Sequence, residues 1–386
     1  MPRFQTVMLL ATAVVAQGRV DPYTVGAPDA MRAVGIVGHG PFLLGERHTT
    51  TDVEQELGNP QLRWLETAHF KIGGDLQSRP WPEDPVDRAT FLSDYRELRR
   101  ALPALPDRLR QLDGWLQLLL QARRLERSYR HLLSLTGVDD AWFGDHAARG
   151  CGGGPNLGCS DKFVVLLFQR ESDLARYLRT WCQTRADRPW TWRYRETMNW
   201  GFATSTESCR GELAEPASLA AHVVFFTSRN MVHAWLGAGK APFWWQDGLA
   251  QWLARRVTPG VMHLTDVQDP DHTRFGATDW PRKVRIRLVQ HTLPPLADML
   301  CWRDNRDRTV ADHAALWSFL DWFVRQDPGG LARLFQQARA TPIPELHDDR
   351  ERVLAWHRDL LQQIDLDLAG AEAAWHRHVL TTYPRR

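Results

Sequence analysis

The feature that most constrains this chain lies at 216–257, where two apolar helical patterns are separated only by a short turn bearing glycine and proline. The first, Ala217-Ser218-Leu219-Ala220-Ala221-His222-Val223-Val224-Phe225-Phe226 and on to Trp235-Leu236, is apolar on nearly every face, so the helix it predicts is largely buried. Gly237 and Gly239 stop it. Pro242 then opens a second, shorter helix, Phe243-Trp244-Trp245-Gln246-Asp247-Gly248-Leu249-Ala250-Gln251-Trp252 and on to Arg256. Neighbouring helices of this kind need a large core to pack against. A chain of 386 residues with 43% hydrophobic content supplies one, and 18 tryptophans add bulk that belongs mostly inside.

Around this element the pattern is mixed. Residues 65–73 alternate well enough for a first strand, and 163–168, Phe-Val-Val-Leu-Leu-Phe, is a continuous apolar run of the kind a fully buried strand carries. Residues 190–194 read as a further strand, and 201–204 as an edge strand or turn. Helical periodicity covers 86–102, 112–135 and 171–181, then 284–300, 311–324, 330–340 and a final pair within 348–378, with 260–283 a polar loop. Strands mixed with helices and followed by a helical run predict the α+β class. No repeat or Ser/Gly/Pro-rich linker divides the chain. The expected organisation is therefore a single domain over 61–382, with an α/β part at 61–257 and a helical part at 258–382, preceded by an irregular arm at 17–60.

The N-terminus, basic at Arg3 and apolar from Val7 to Ala16, resembles a secretory signal peptide over residues 1–16, which predicts export to a periplasm or the extracellular space. That stretch is too short to span a bilayer, and no later apolar segment approaches the ~20 residues a spanning helix needs. No integral span beyond the signal segment is expected. Lys and Arg total 48 against 46 Asp and Glu, and the net charge of +2 gives no field to draw in nucleic acid. Export permits disulfides. The cysteines suggest two: Cys151 with Cys159 across a glycine-rich loop, and Cys182 with Cys209, leaving Cys301 alone.

A zinc hydrolase of the single-helix kind needs two histidines four residues apart facing one metal, a glutamate to act on the bound water, and a third ligand from a following helix. The order of segments here is a strand like 163–168, Gly-Phe-Ala-Thr at 201–204, a helix ending just after His233, then Pro-Phe-Trp-Trp-Gln-Asp-Gly-Leu-Ala at 242–250. It resembles the peptidase MA-like family, found mostly in bacteria: gluzincin-type proteins with His-Glu-x-x-His and, after a short gap, Pro-x-Trp-Leu-x-Glu-Gly-Leu-Ala. The likeness extends to Ala-His-Phe-Lys-Ile at 68–72, to Trp317-Ser318-Phe319-Leu320 and to Glu372-x-x-Trp375-x-x-x-Val379, about residues 60–380 in all. It implies a zincin-like (gluzincin) domain with a small β-sheet, a central helix of the active-site type and a helical C-terminal part.

Carried over position by position, the resemblance exposes a degenerate site. The second metal-ligand histidine matches His233, but the first matches Arg229, the catalytic glutamate matches Asn230, and the third-ligand glutamate matches Asp247. A guanidinium offers only donors and stays charged, so Arg229 cannot ligate zinc; Asn230 cannot take a proton from water; Asp247 reaches one methylene less far than glutamate. His222 stands eleven residues before His233, about 16 Å along the axis at about 1.5 Å per residue, and cannot share its metal. What remains suggests a rewired charge pair, Arg229 with Asp247, with His233 hydrogen-bonded beside them.

The expected function is that of a catalytically inactive peptidase-like protein, without a bound cofactor, acting in binding a protein or peptide partner or as a structural part of an assembly. His222, Trp235, Trp244 and Trp245 are the candidate lining of its groove, although a core role is open for each. Two alternatives stay open. One is an active zinc-dependent peptidase with a non-standard site built on His233 and Asp247; the other is a purely structural domain.

Overall fold

A computed structural model describes residues 20–145, 153–237, 241–261, 264, 276, 278–304, 308–326, 328–340 and 349–385. The signal-peptide stretch, Cys151 and most of the polar loop at 260–283 lie outside the described residues. Among the described residues the fold is mixed α+β, with small sheets and a mostly helical C-terminal region. The chain divides into two compact units: residues 1–126 with 161–220, and residues 127–160 with 221–386.

The first unit is built on a five-stranded sheet. Its strands are β1 (Arg63–Glu66), β2 (Phe70–Gly74), β3 (Phe163–Phe168), β4 (Trp190–Arg193) and β5 (Trp200–Ser205), in the order β1-β2-β3-β5-β4. β3 pairs in parallel with both β2 and β5, and β1 and β4 close the two sides as antiparallel strands. Every residue of β3 is buried, which is why its sequence is an uninterrupted apolar run without alternation. The single strand expected over 65–73 is instead the hairpin of β1 and β2, bent where Thr67 and His69 both bond the Glu126 carboxylate. The segment at 201–204 is not at the edge: β5 lies between β3 and β4. Its glycine is required there, because a Cβ on Gly201 would sit 2.1 Å from the Trp192 ring that covers it.

Helices α1 (Thr50–Leu57), α2 (Pro85–Ala101), α3 (Gly114–Thr136), α4 (Glu171–Trp181) and α5 (Pro216–Leu236) begin in this unit, and α3 and α5 run on into the second. Their starts follow from local chemistry. Thr49 and Asp52 form a capping box on α1, and Asp84 accepts from the backbone N–H groups of Val86 and Asp87 ahead of α2, with Pro85 in the first turn. Val53, Leu57, Leu174, Tyr177 and Leu178, from α1 and α4, join Trp64, Val164, Leu166 and Phe168 in one core. The arm at 17–60 is therefore tied down in its described part and does not hang loose: it supplies Leu44 and Val53 to that core.

The second unit is helical. It contains the ends of α3 and α5 and then α6 (Phe243–Val257), α7 (Trp280–Val289), α8 (Leu296–Leu300), α9 (Val310–Gln326), α10 (Pro328–Ala340), α11 (Arg350–Gln362) and α12 (Leu368–Thr382). The helix expected over 284–300 is thus two, α7 and α8, broken where Thr292 turns back to bond the Arg287 carbonyl. α6 packs along α9. The approach is close at Gly248, where an added Cβ would lie 2.9 Å from the buried Leu320 side chain. No helix among the described residues is long and apolar enough to cross a membrane.

The disulfides expected from the sequence are not formed. No bridge joins Cys159, Cys182, Cys209 or Cys301, and Cys151 lies outside the described residues. The glycine-rich loop is closed by its own backbone, through the bridges Gly154 to Gly158 and Asn156 to Cys159. Cys182 ends α4 and packs against the core of the first unit, where burial pushes its thiol up to about 12, and Cys209 opens the short turn before α5. In both units packing does the work that a staple does in small secreted domains.

Candidate functional site

The positions singled out in the sequence fall on α5 and α6 of the second unit. Arg229, Asn230 and His233 belong to the last two turns of α5, and Gln246 and Asp247 to the first turn of α6. α6 starts without a side-chain cap; the N–H groups of Trp245 and Gln246 return to the Pro242 carbonyl instead. This start presents two neighbouring polar side chains to different partners.

Gln246 organises the first cluster. Its Oε1 accepts from Arg229 Nη2 at 3.0 Å and from His233 Nε2 at 2.8 Å. Its own Nε2 donates to the Ala241 carbonyl at 3.0 Å, which fixes which end of the amide faces the α5 side chains. Since Oε1 can only accept, His233 carries a proton on Nε2. Gln246 and Asn230 are buried, whereas Arg229 and His233 are partly exposed.

Asp247 belongs to a second cluster. Its Oδ2 accepts from His313 Nδ1 of α9 at 2.6 Å, both side chains being 1% exposed, and Gln251 Nε2, one turn further along α6, is 3.5 Å from the same oxygen. The Arg229–Asp247 pair expected from the sequence does not form: Arg229 donates to Gln246 and Asp247 accepts from His313. The two still sense one another. Burial pulls the Arg229 guanidinium below its ordinary value, and attraction to Asp247 offsets part of that fall.

The other candidates are packing residues. Trp235 is fully buried, stacked on Trp142 with centroids 5.4 Å apart and edge-on to Phe143 and Phe335; Arg339 bonds its carbonyl at the end of α5. Trp245 stacks on Trp244 and tilts onto Phe335, and Trp244 donates from its indole N–H to His357 Nε2 at 2.7 Å. His222 is buried against Phe226 at 4.6 Å. These contacts tie all four side chains to neighbouring aromatic and helical residues of the unit.

The donor set does not fit the zinc ion that the resemblance implies. Arg229 has only donors, Asn230 no basic atom, His233 Nε2 is spent on Gln246, and Asp247 is spent on His313. Among the described residues no group of three or more His, Cys, Asp or Glu side chains is arranged to hold a metal. The arrangement offers instead a partly exposed guanidinium and imidazole held in fixed orientation by one amide oxygen. Removing that oxygen tests it. Gln246→Leu is expected to destabilise the second unit by about 2 kcal/mol, since two buried-side donors lose their shared acceptor; urea unfolding that shows no change would refute the shared role.

Sequence reasoning missed His313 and Gln246. His313 lies four residues before Trp317, in the helix that carries the Trp-Ser-Phe-Leu pattern, but nothing in its spacing links it to Asp247. Gln246 was legible only as the neighbour of Asp247. No family model, curated protein or solved structure matches the chain.

Proposed function

We propose that this chain is a metallopeptidase-like protein of the gluzincin type in which a hydrogen-bonded cluster replaces the metal centre, and that it acts by binding a protein or peptide, not by hydrolysis. The observation that carries this reading is the shared acceptance by Gln246 Oε1 of Arg229 and His233. The two helices that would carry the ligands in such a fold follow one another in the order the family pattern requires, and hydrogen bonds from Arg229 and His233 to Gln246 join them. Export through the N-terminal apolar stretch belongs to the same reading.

Restoring the pattern is the direct test. The triple variant Arg229→His, Asn230→Glu, Asp247→Glu rebuilds two histidines at four-residue spacing, the intervening glutamate and the following carboxylate. In the gluzincin geometry it should take up one zinc per chain, measured by elemental analysis after exhaustive dialysis, while the unaltered chain given the same zinc retains only a minor fraction. A folded triple variant, by circular dichroism, that takes up no zinc would remove the gluzincin reading. Stoichiometric zinc on the unaltered chain, lost with His233→Ala, would favour the active peptidase instead.

A further inference from the structure

Arg229, in the cluster organised by Gln246, is an incompletely satisfied cation. It meets one acceptor among the described residues, Gln246 Oε1, through one Nη2 hydrogen. Its Nε is buried without a hydrogen-bond partner. Among the described residues no carboxylate pairs with it, because Asp247 is turned to His313. The Phe225 and Phe226 ring centroids stand 5.9 and 5.8 Å from its guanidinium carbon, within cation–π range. A buried N–H left without an acceptor costs free energy that a bound acceptor recovers, and the Arg229 side chain stays partly exposed.

From this geometry we infer that Arg229 is the receptor for a carboxylate-bearing ligand, which completes the guanidinium's hydrogen bonds beside His233. The inference rests on the binding reading given above and names its ligand class. A planar carboxylate matches the two-pronged edge of a guanidinium, forming two parallel N–H···O bonds. A monoanion is favoured over a phosphate dianion because Asp247 already offsets part of the single positive charge, and a second negative charge in the same apolar surroundings would stand uncompensated. The partly exposed Phe226 beside Arg229 gives the site an apolar neighbour, which suits a carboxylate at the end of an organic chain, such as a peptide C-terminus.

The test is a titration of the whole chain with acetate, inorganic phosphate, and one short peptide in two forms, with a free C-terminal carboxylate and as the amide. Binding is followed by the nitrogen and proton shifts of the Arg229 Nε–H group and by calorimetry. Expected are saturable shifts with acetate and with the free peptide, at least tenfold weaker binding of the amide, a similar loss in Arg229→Gln, and partial retention in Arg229→Lys. Absence of any Nε–H shift on the unaltered chain overturns the inference whatever the variants do. Tighter binding of phosphate than acetate overturns the carboxylate assignment. Equal binding of acid and amide, indifferent to Arg229→Gln, overturns the site and leaves a protein that binds by other contacts. Failure of the zinc-restoring variant bears on the family reading alone.

Discussion

His313→Leu is expected to destabilise the second unit by about 3–5 kcal/mol, the cost of leaving the Asp247 carboxylate buried without its partner. Both groups are 1% exposed and 2.6 Å apart, so solvent cannot take over the lost bond. Gln251 Nε2, at 3.5 Å, is too distant to replace it. Asp247→Asn should cost less, about 1–3 kcal/mol, because an amide oxygen can still accept from His313 and no carboxylate is left buried without a partner. Asp247→Leu combined with His313→Leu should recover part of the loss, since a fully apolar pair leaves nothing unsatisfied. Urea unfolding of the single and double variants gives the coupling directly. A coupling near zero would mean that the two side chains do not stabilise one another.

Acidification gives the second large effect, through two buried histidines held neutral. In the second unit His357 is 2% exposed; its Nδ1–H donates to the Val353 carbonyl at 2.8 Å while its Nε2 accepts from Trp244. A proton on Nε2 would set two donors against each other, and burial pushes the imidazole down to about 4. In the first unit His48 is 3% exposed, stacked on Trp181 at 4.2 Å and bonded to the Tyr177 hydroxyl, and burial pushes it down to about 4 against a smaller opposing pull from Asp52. The unfolded chain, with an ordinary histidine near 6.5, binds more protons below that pH than the folded one. The stabilisation is therefore complete above about pH 6.5 and lost as pH falls through about 4. Each histidine should cost about 2 kcal/mol at pH 5 and about 3 kcal/mol at pH 4. Melting at pH 7.5 and 5.0 checks the sum; His357→Gln, whose amide oxygen can still accept from Trp244, should flatten the second unit's share. A pH dependence unchanged in His357→Gln would show that its imidazole is not the group being protonated.

Much of the architecture was readable in residue patterns. The strand at 163–168 and the helices α4, α5 and α6 fall where the apolar periodicity placed them, to within a residue or so, because each is long or buried enough for its own side chains to dictate it. Shorter pieces were misjudged for a common reason. β5 contains Gly201, which reads as turn chemistry but is demanded by the indole of Trp192 lying over it, and no local pattern announces a neighbour's ring. The cysteines failed similarly: spacing suggested bridges, whereas the surroundings of Cys182 and the self-closed loop at 154–159 gave packing.

The amino-acid sequence by itself determined that positions 229 and 230 carry a guanidinium, which cannot ligate a cation, and an amide, which cannot take a proton from water, since that follows from side-chain chemistry at fixed chain positions. Only the tertiary structure decided the partners. Gln246 and Asp247 are adjacent in the chain, yet consecutive residues of a helix point about 100° apart, so the first turns to Arg229 and His233 on α5 and the second to His313 on α9. Which side chain waits in each direction depends on how helices distant in sequence pack, and on the close approach that Gly248 allows.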